Sequence, residues 1–132
     1  MSISVQADDF DIGHEISKLT EGRTDIGAIV TFTGLVRDMA GGKKITDMEL
    51  EHYPGMTEKA LADIEAKATA RWNLQATRII HRYGKLVPGA QIVLVATASP
   101  HRADAFEAAE YIMDFLQSRS PFWKKDGASD GV

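Results

Sequence analysis

Hydrophobic and polar residues change period along this chain, and the changes mark out its elements. Ile3 to Ala7 alternates apolar with polar, which predicts a short strand. From Asp8 to Thr20 the apolar positions Phe10, Ile12, Ile16 and Leu19 fall at helical spacing. Gly22 to Asp25 reads as a loop. "IGAIVTFTG" then returns to period two, with Ile26, Ala28, Val30 and Phe32 on one face of a strand. "LVRDMAGGKK" breaks the pattern. Its Gly41-Gly42 pair predicts a flexible loop that carries Arg37, Lys43 and Lys44.

"ITDMELEHY" alternates again. Thr46, Met48, Leu50 and His52 share one face and the other is acidic, as in an antiparallel strand with one wet side. Pro54-Gly55 opens a helix through about Trp72, with Leu61, Ile64 and Ala68 as its apolar stripe. "ATRIIHRYGKL" predicts one strand, and "VPGA" a turn in which Gly89 takes positive φ. "QIVLVATAS" is apolar almost throughout, which predicts a central strand covered on both faces. After Pro100 a helix runs from about Arg102 to Ser118, burying Ala105, Ala109, Ile112 and Leu116 with Phe106 and Met113 at its flanks. Strands and helices do not alternate regularly, so the predicted class is α+β, antiparallel or mixed sheets with helices packed on them. At 132 residues the chain predicts a single domain, residues 1–125, with "DGASDGV", residues 126–132, as a flexible tail.

Composition narrows the chemistry. The chain is 44% hydrophobic, enough for a real core. It has no cysteine, which excludes disulfides, thiolate metal sites and a cysteine nucleophile. Any sulfur chemistry must use sulfur brought by another molecule. The lack of disulfides fits the cytoplasm. A net charge of −4 disfavours nucleic acid as a partner, since that needs a basic face. No apolar run predicts a membrane span, and "MSISVQADDFDIG" lacks the charged and apolar regions of a signal peptide. His14, His52, His81 and His101 are scattered, so no metal site is expected. P-loop, dinucleotide and nucleophile-elbow patterns are missing as well.

Against this acidic background the local cations are informative. In "ASPHRADAF", His101 and Arg102 sit where a buried strand gives way to a helix, whose N-terminal N–H groups attract anions. The alternative is that His101 caps the helix and Arg102 is solvated. A second pair, His81-Arg82, lies within a strand where neighbours point to opposite faces, so one of the two is expected to be structural. Arg37 stands just past a strand end, where loops commonly carry function. In "SPFWKK", Pro121 stops the helix, Phe122 and Trp123 need a surface to pack on, and Lys124 and Lys125 follow. Gln117, three after Asp114 and seven after Glu110, falls on the polar helix face. The residues alone support an anion pocket of Arg37, His101, Arg102 and Lys124, with the anion unnamed.

Taken in order, "GAIVTFTGLVRD", "LEHYPGMTEKAL", "IIHRYGKLVPG", "SPHRADAFEAAEYIMDFL" and "PFWKK" resemble the molybdopterin synthase large (catalytic) subunit family. The resemblance covers residues from about 26 to 125. It implies an α/β-hammerhead fold and a homodimer, each half binding a small ubiquitin-like sulfur-carrier subunit to give a heterotetramer. It implies sulfurtransferase chemistry. The carrier's C-terminal Gly-Gly tail arrives as a thiocarboxylate, and two sulfurs pass to cyclic pyranopterin monophosphate, giving the dithiolene of molybdopterin. The pterin is substrate, and no permanently bound cofactor is implied. By the same resemblance Leu35, Val36 and Arg37 line the substrate pocket, and His101 and Arg102 hold the substrate. Lys124 is a catalytic or orienting cation, with Lys125 and Asp126 beside it, and the neighbouring subunit contributes part of the pocket. The family pattern also carries a catalytic lysine in "D-x-L-K", where this chain reads "DFLQ", so Gln117 holds that position. Glutamine neither carries charge nor acts as acid or nucleophile. Three readings stay open: Lys124 or Lys125 carries the chemistry, the chain binds with little or no turnover, or the glutamine was introduced to trap a complex.

Overall fold

The computed structural model describes residues 2–40, 43–118 and 123–128, with side chains placed for 2–38 and 49–117. Its elements in chain order are β1 (Ile3–Gln6), α1 (Ile12–Thr20), β2 (Ala28–Leu35), β3 (Met39–Ala40), β4 (Lys43–Glu51) and α2 (Met56–Arg71). They continue with β5 (Ala76–Arg82), β6 (Gly84–Leu86), β7 (Gln91–Ser99), α3 (Arg102–Ser118) and β8 (Trp123–Ala128). A four-stranded sheet has the order β1-β5-β7-β2, with β1 parallel to β5 and the other pairs antiparallel. In a second, antiparallel sheet β4 pairs with β3, β6 and β8. Because β6 and β8 both pair with Met48–Leu50, they must lie on opposite edges of β4. The class is α+β, as the pattern predicts.

The predicted faces explain the core. Leu61, Ile64 and Ala68 of α2 meet Ile112 and Leu116 of α3 over Ile79, Val93 and Val95 of the sheet. On the other face Phe10 packs with Ile80 and Leu94, and Ile12 joins them from α1. Strand β7 is therefore covered on both sides, as its unbroken apolar run requires. A smaller core of Val36, Leu50 and Leu86 lies under the second sheet, flanked by Tyr83, Ala90 and Ile92.

Local chemistry sets the boundaries. Helix α1 starts at Ile12 and not at Asp8, because the Asp11 carboxylate accepts from the His14 N–H at 2.9 Å and so caps it. Helix α2 opens after Gly55, at φ 83°, whose N–H donates to the Glu58 carboxylate at 2.9 Å. Residues 76–86 form two strands where the sequence predicts one. Gly84, at φ 90°, turns the chain out of the first sheet, so β5 pairs with β1 and β7 while β6 joins β4. Around the predicted glycine loop, Met39 and Ala40 pair with Lys44 and Lys43 as a hairpin; Gly41 and Gly42 lie outside the described residues. The tail predicted from residue 126 begins inside β8, which runs on to Ala128. Residues 129–132, Pro121 and Phe122 lie outside the described residues. No helix among the described residues is long and apolar enough to cross a membrane.

The pair His81-Arg82 is structural in both members. Arg82 donates through Nε and Nη2 to the Ala7 carbonyl and through Nη1 to that of Gln91, tying β5 to the segment after β1 and to β7. His81 is buried, with Nδ1 2.9 Å from the Arg82 carbonyl oxygen, so this nitrogen carries the proton. Burial pushes its pKa down to about 4. The unfolded side chain, titrating near 6.5, takes a proton first. The stability from neutral His81 is complete above that value and is lost as pH falls toward about 4, roughly 1–3 kcal/mol in all. Thermal melts between pH 6.5 and 5, where carboxylates stay ionised, should show a falling Tm that His81→Asn flattens. Parallel slopes for both proteins would reject this account.

Candidate active site

Three groups of cationic positions emerge, and β2 relates them. The strand starts beside the end of β7 and finishes beside its beginning: Ala28 faces Ser99, and Leu35 faces Gln91. His101 and Arg102 follow β7 at the first end, and Arg37 follows β2 at the other.

At the first end the backbone is tightly constrained. The Gly27 N–H donates to the Ser99 carbonyl at 3.2 Å, and the His101 N–H donates to Ser99 Oγ at 3.1 Å. The His101 carbonyl accepts the first helical bond of α3 from Ala105. Buried Thr97 donates from Oγ1 to the Ala105 carbonyl at 2.7 Å, which fastens the first turn of α3 to the sheet. His101 and Arg102 are both exposed. The helix N-terminus, a histidine and an arginine thus face solvent on a fixed base, a geometry suited to a phosphate.

At the second end Val36 is buried, 3% exposed, within the small core. Its N–H donates to the Ala90 carbonyl at 2.9 Å, and its own carbonyl accepts from Gly89 at 2.7 Å. Val36 therefore holds the loop while its neighbours face outward: Leu35 is 54% exposed and Arg37 is exposed. Val36, Arg37 and Asp38 line an open cavity of about 500 Å³ with Pro88 and Gly89. Strand β8 brings the other lysines toward this core. Lys124 takes the register position opposite Leu50, Lys125 that opposite Glu49, and Asp126 that opposite Met48. Leu50 packs with Val36, so the backbone at Lys124 lies one strand from the core that seats Arg37.

Gln117 is exposed in the last turn of α3, a turn without a basic residue. Its neighbour Leu116 packs in the same cluster as Val93, near the start of β7, so Gln117 belongs to the Arg37 end. Along α3, Gln117 and Arg102 are separated by about 22 Å at 1.5 Å per residue. Within one chain the structure gathers Arg37, Gln117 and the Lys124–Asp126 strand toward one end of the molecule. It leaves His101 and Arg102 at the other.

A second cavity, of about 530 Å³, lies among α1, α2 and β5 and contains none of these residues. Its arginine and its two carboxylates are already engaged. Arg78 meets Glu15 at 2.8 Å, and Glu65 accepts from Ser2 and Thr77. No group of three or more His, Asp or Glu among the described residues is placed to hold a metal.

Beside the small core, His52 stacks on Tyr83 with ring centroids 4.6 Å apart and places Nε2 3.1 Å from Glu58. The Glu58 carboxyl is held below its ordinary range by its own N–H, then by those of Gly55 and His52. This link between the start of α2 and the second sheet was not legible in the sequence, where His52 reads only as a strand position.

The family model described as MoaE protein matches residues 5–119. The chain belongs to the MoaE family. A molybdopterin synthase catalytic subunit from Rhizobium meliloti (strain 1021) is 56% identical to this MoaE-family chain over 131 residues, which are 99% of this chain and 83% of that protein. The crystal structure of molybdopterin synthase from Staphylococcus aureus has a TM-score of 0.89 at 34% identity, covering 99% of this chain and 94% of the other. A complex of subunits 1 and 2 of the molybdopterin-converting factor from Helicobacter pylori 26695 matches with a TM-score of 0.81 over 98% of this chain and 87% of its own. At 18% identity that last likeness speaks for the fold. Family and relatives put this MoaE chain among the enzymes of molybdenum-cofactor biosynthesis.

Sequence reasoning missed Gly27, which sets the backbone at the His101–Arg102 end. A Cβ there would stand 2.4 Å from the Pro100 carbonyl oxygen. The available signal was a glycine directly before a strand. Gly27→Ala should force Pro100 and the adjoining His101 to move, costing about 1–3 kcal/mol. Denaturant melts will measure the cost, and an unchanged midpoint would mean that the two segments separate freely.

Proposed function

We propose that this chain is the catalytic subunit of a molybdopterin synthase and transfers sulfur to cyclic pyranopterin monophosphate. The observation that carries the reading is the family match over residues 5–119, joined to the exposed side chains of His101, Arg102 and Arg37. A small ubiquitin-like carrier presents its Gly-Gly tail as a thiocarboxylate. In each transfer the carrier's sulfur displaces an oxygen substituent from a pterin carbon, and that oxygen leaves as water or as the substituted oxyanion. Water then hydrolyses the thioester so formed to release the carrier as a carboxylate, and two transfers complete the dithiolene. The chain has no cysteine, so sulfur does not pass through a thiol of this subunit, which is consistent with a carrier that brings it. The pterin enters as substrate and leaves as product, with no resident cofactor and in the cytoplasm.

In this reading His101 and Arg102 hold the phosphate, while Arg37, Lys124 and Lys125 receive the carrier tail and the reacting pterin atoms. Within a single chain the length of β2, eight residues or about 23 Å at 3.3 Å per residue, lies between the His101–Arg102 end and the Arg37 end. The site is therefore shared between two copies in a homodimer, with one carrier on each half. Mixing an Arg37→Ala chain with a His101→Ala, Arg102→Ala chain should restore activity that neither variant has alone, because one of the two hybrid sites is intact. No recovery in a turnover assay with thiocarboxylated carrier and precursor would show that each site is confined to one chain.

Gln117 favours a second reading, in which the chain binds carrier and pterin with little turnover. An uncharged amide at the end of α3 cannot supply the acid–base help typically worth roughly 10²–10⁴ in rate. Gln117→Lys should raise kcat toward that range. It should also add about 0.3–1 kcal/mol of stability, because a cation there faces the helix C-terminus. An unchanged kcat in an active enzyme would assign the chemistry to another group such as Lys124. Carrier binding without product in the parent chain, together with turnover in the lysine variant, would favour the second reading.

A further inference from the structure

We infer that His52 is a positioning residue for the proposed sulfur transfer. Tied to Glu58 and stacked on Tyr83, it fixes the end of β4 on which the Lys124 strand is registered, and so sets where that strand stands relative to Arg37. The inference rests on the function proposed above and names what holds the lysine end of its site.

Strand β4 ends at Glu51, and the pairing of β8 reaches that same point. Trp123 takes the register position opposite Glu51, and Lys124 that opposite Leu50. His52 is the next residue of the chain, so whatever holds it also holds the first paired residues of β8. Leu50 meets Gly84 of β6 on its other edge, and its side chain packs with Val36. Arg37 takes its place from Val36, whose backbone bonds to Gly89 and Ala90 ahead of β7. The Lys124 strand takes its place from β4. A β4 end that drifts carries the Lys124 strand with it and opens the small core under Arg37, and the spacing between the two is no longer defined.

The imidazole supplies the hold. Its Nε2 lies 3.1 Å from Glu58 Oε2, and its ring stacks on Tyr83 with centroids 4.6 Å apart. An ionised carboxylate only accepts, so Nε2 carries the proton. Both partners are fixed from elsewhere. Glu58 lies in the first turn of α2, which Leu61, Ile64 and Ala68 seat in the main core. Tyr83 donates its N–H to the Gln6 carbonyl at the end of β1.

The connection from β4 to α2 does not need His52 for its own shape. Tyr53 donates its N–H to Thr57 Oγ1, and its carbonyl accepts from the Thr57 N–H. Glu58 Oε1 holds the Gly55 N–H. Helix α2 is capped and seated with or without the imidazole. What the imidazole adds is a sideways tie from that helix, and from Tyr83, to the strand end. Its side chain is only 16% exposed, so it acts from behind the site and not as a reacting group.

Two substitutions separate the tie from the ring. His52→Phe keeps an aromatic ring against Tyr83 and removes the donor, whereas His52→Gln restores an N–H donor toward Glu58. In the turnover assay His52→Phe should lower kcat by roughly 10–100-fold, the effect of a small misplacement of a catalytic group. KM for the pterin should hold, because His101 and Arg102 lie at the far end of β2. His52→Gln should recover most of the loss. Amide hydrogen exchange reads the same tie without turnover: β8 and the end of β4 should lose protection in His52→Phe while β5 and β7 keep theirs. A His52→Phe enzyme with the kcat and the β8 protection of the parent would overturn the inference. Equal loss of protection in β7 and β8 would overturn it too, since the histidine would then serve stability alone. A parent chain that gives no product would remove the proposed function, and the contrast between β8 and β7 would still decide whether His52 holds the lysine strand.

Discussion

The antiparallel pairing of β2 with β7 is the constraint from which the rest of this molecule follows. It is continuous from Ala28–Ser99 to Gly34–Val93. It fixes which chain ends lie together, and therefore which side chains share an environment. Helix α3 returns along the same direction because Thr97 holds its first turn and the Val93 cluster holds Leu116. Strand and helix thus carry their functional ends in opposite directions over a shared core. No side-chain rearrangement within one chain spans the eight residues of β2, about 23 Å at 3.3 Å per residue. The separation of Arg37 from His101 and Arg102 belongs to the topology and not to local packing.

The second sheet is a modest structure with a specific task. Its described core holds Val36, Leu50 and Leu86, one residue from each of three segments distant in sequence. Val36 gives the Arg37 loop its footing, Leu50 carries the register of β8, and Leu86 leads into the Pro88-Gly89 turn beside Arg37. Burying a few aliphatic side chains stabilises by about 1.5–3 kcal/mol each. That is enough to hold a loop but a small reserve against its opening, so the lysine strand and the Arg37 loop should loosen together. Coupled motion of that kind fits the proposal that this end of the molecule receives a carrier tail.

Much of the fold was legible in the sequence because its strongest signals are local. The unbroken apolar run of β7 announced a strand buried on both faces, and α3 runs from Arg102 to Ser118, where periodicity and the neighbouring proline put it. The stripe of α2 reads off its spacing, yet buried Thr57 escapes it, because Thr57 is buried to accept a hydrogen bond from the Tyr53 N–H. The division of β5 from β6 was not legible. "ATRIIHRYGKL" alternates plausibly throughout, and only the competition between two sheets gives Gly84 its turning role. Strand β8 was hidden for a related reason: "WKKDGA" has little strand character of its own and pairs because β4 offers an edge.

Site residues were legible as types and not as an arrangement. A histidine and an arginine after a buried strand, or an arginine after an edge strand, carry their chemistry visibly. The distance between them is a property of strand direction, which no motif encodes. Gln117 shows the converse. Composition marks it as an ordinary polar surface residue, and its exposure agrees. Only its place does not: the last turn of α3, on the stripe that begins with Phe106, at the end of the molecule where Arg37 lies. A charge there would act on any anion bound beside Arg37 and would also favour the helix terminus, so its absence forgoes a stabilising contact twice over. Lysines on β8 occupy the same end of the molecule from a separate element. The chemistry of that end can therefore persist with its centre of charge moved from helix to strand, and the cost of Gln117 depends on how firmly β8 holds to β4.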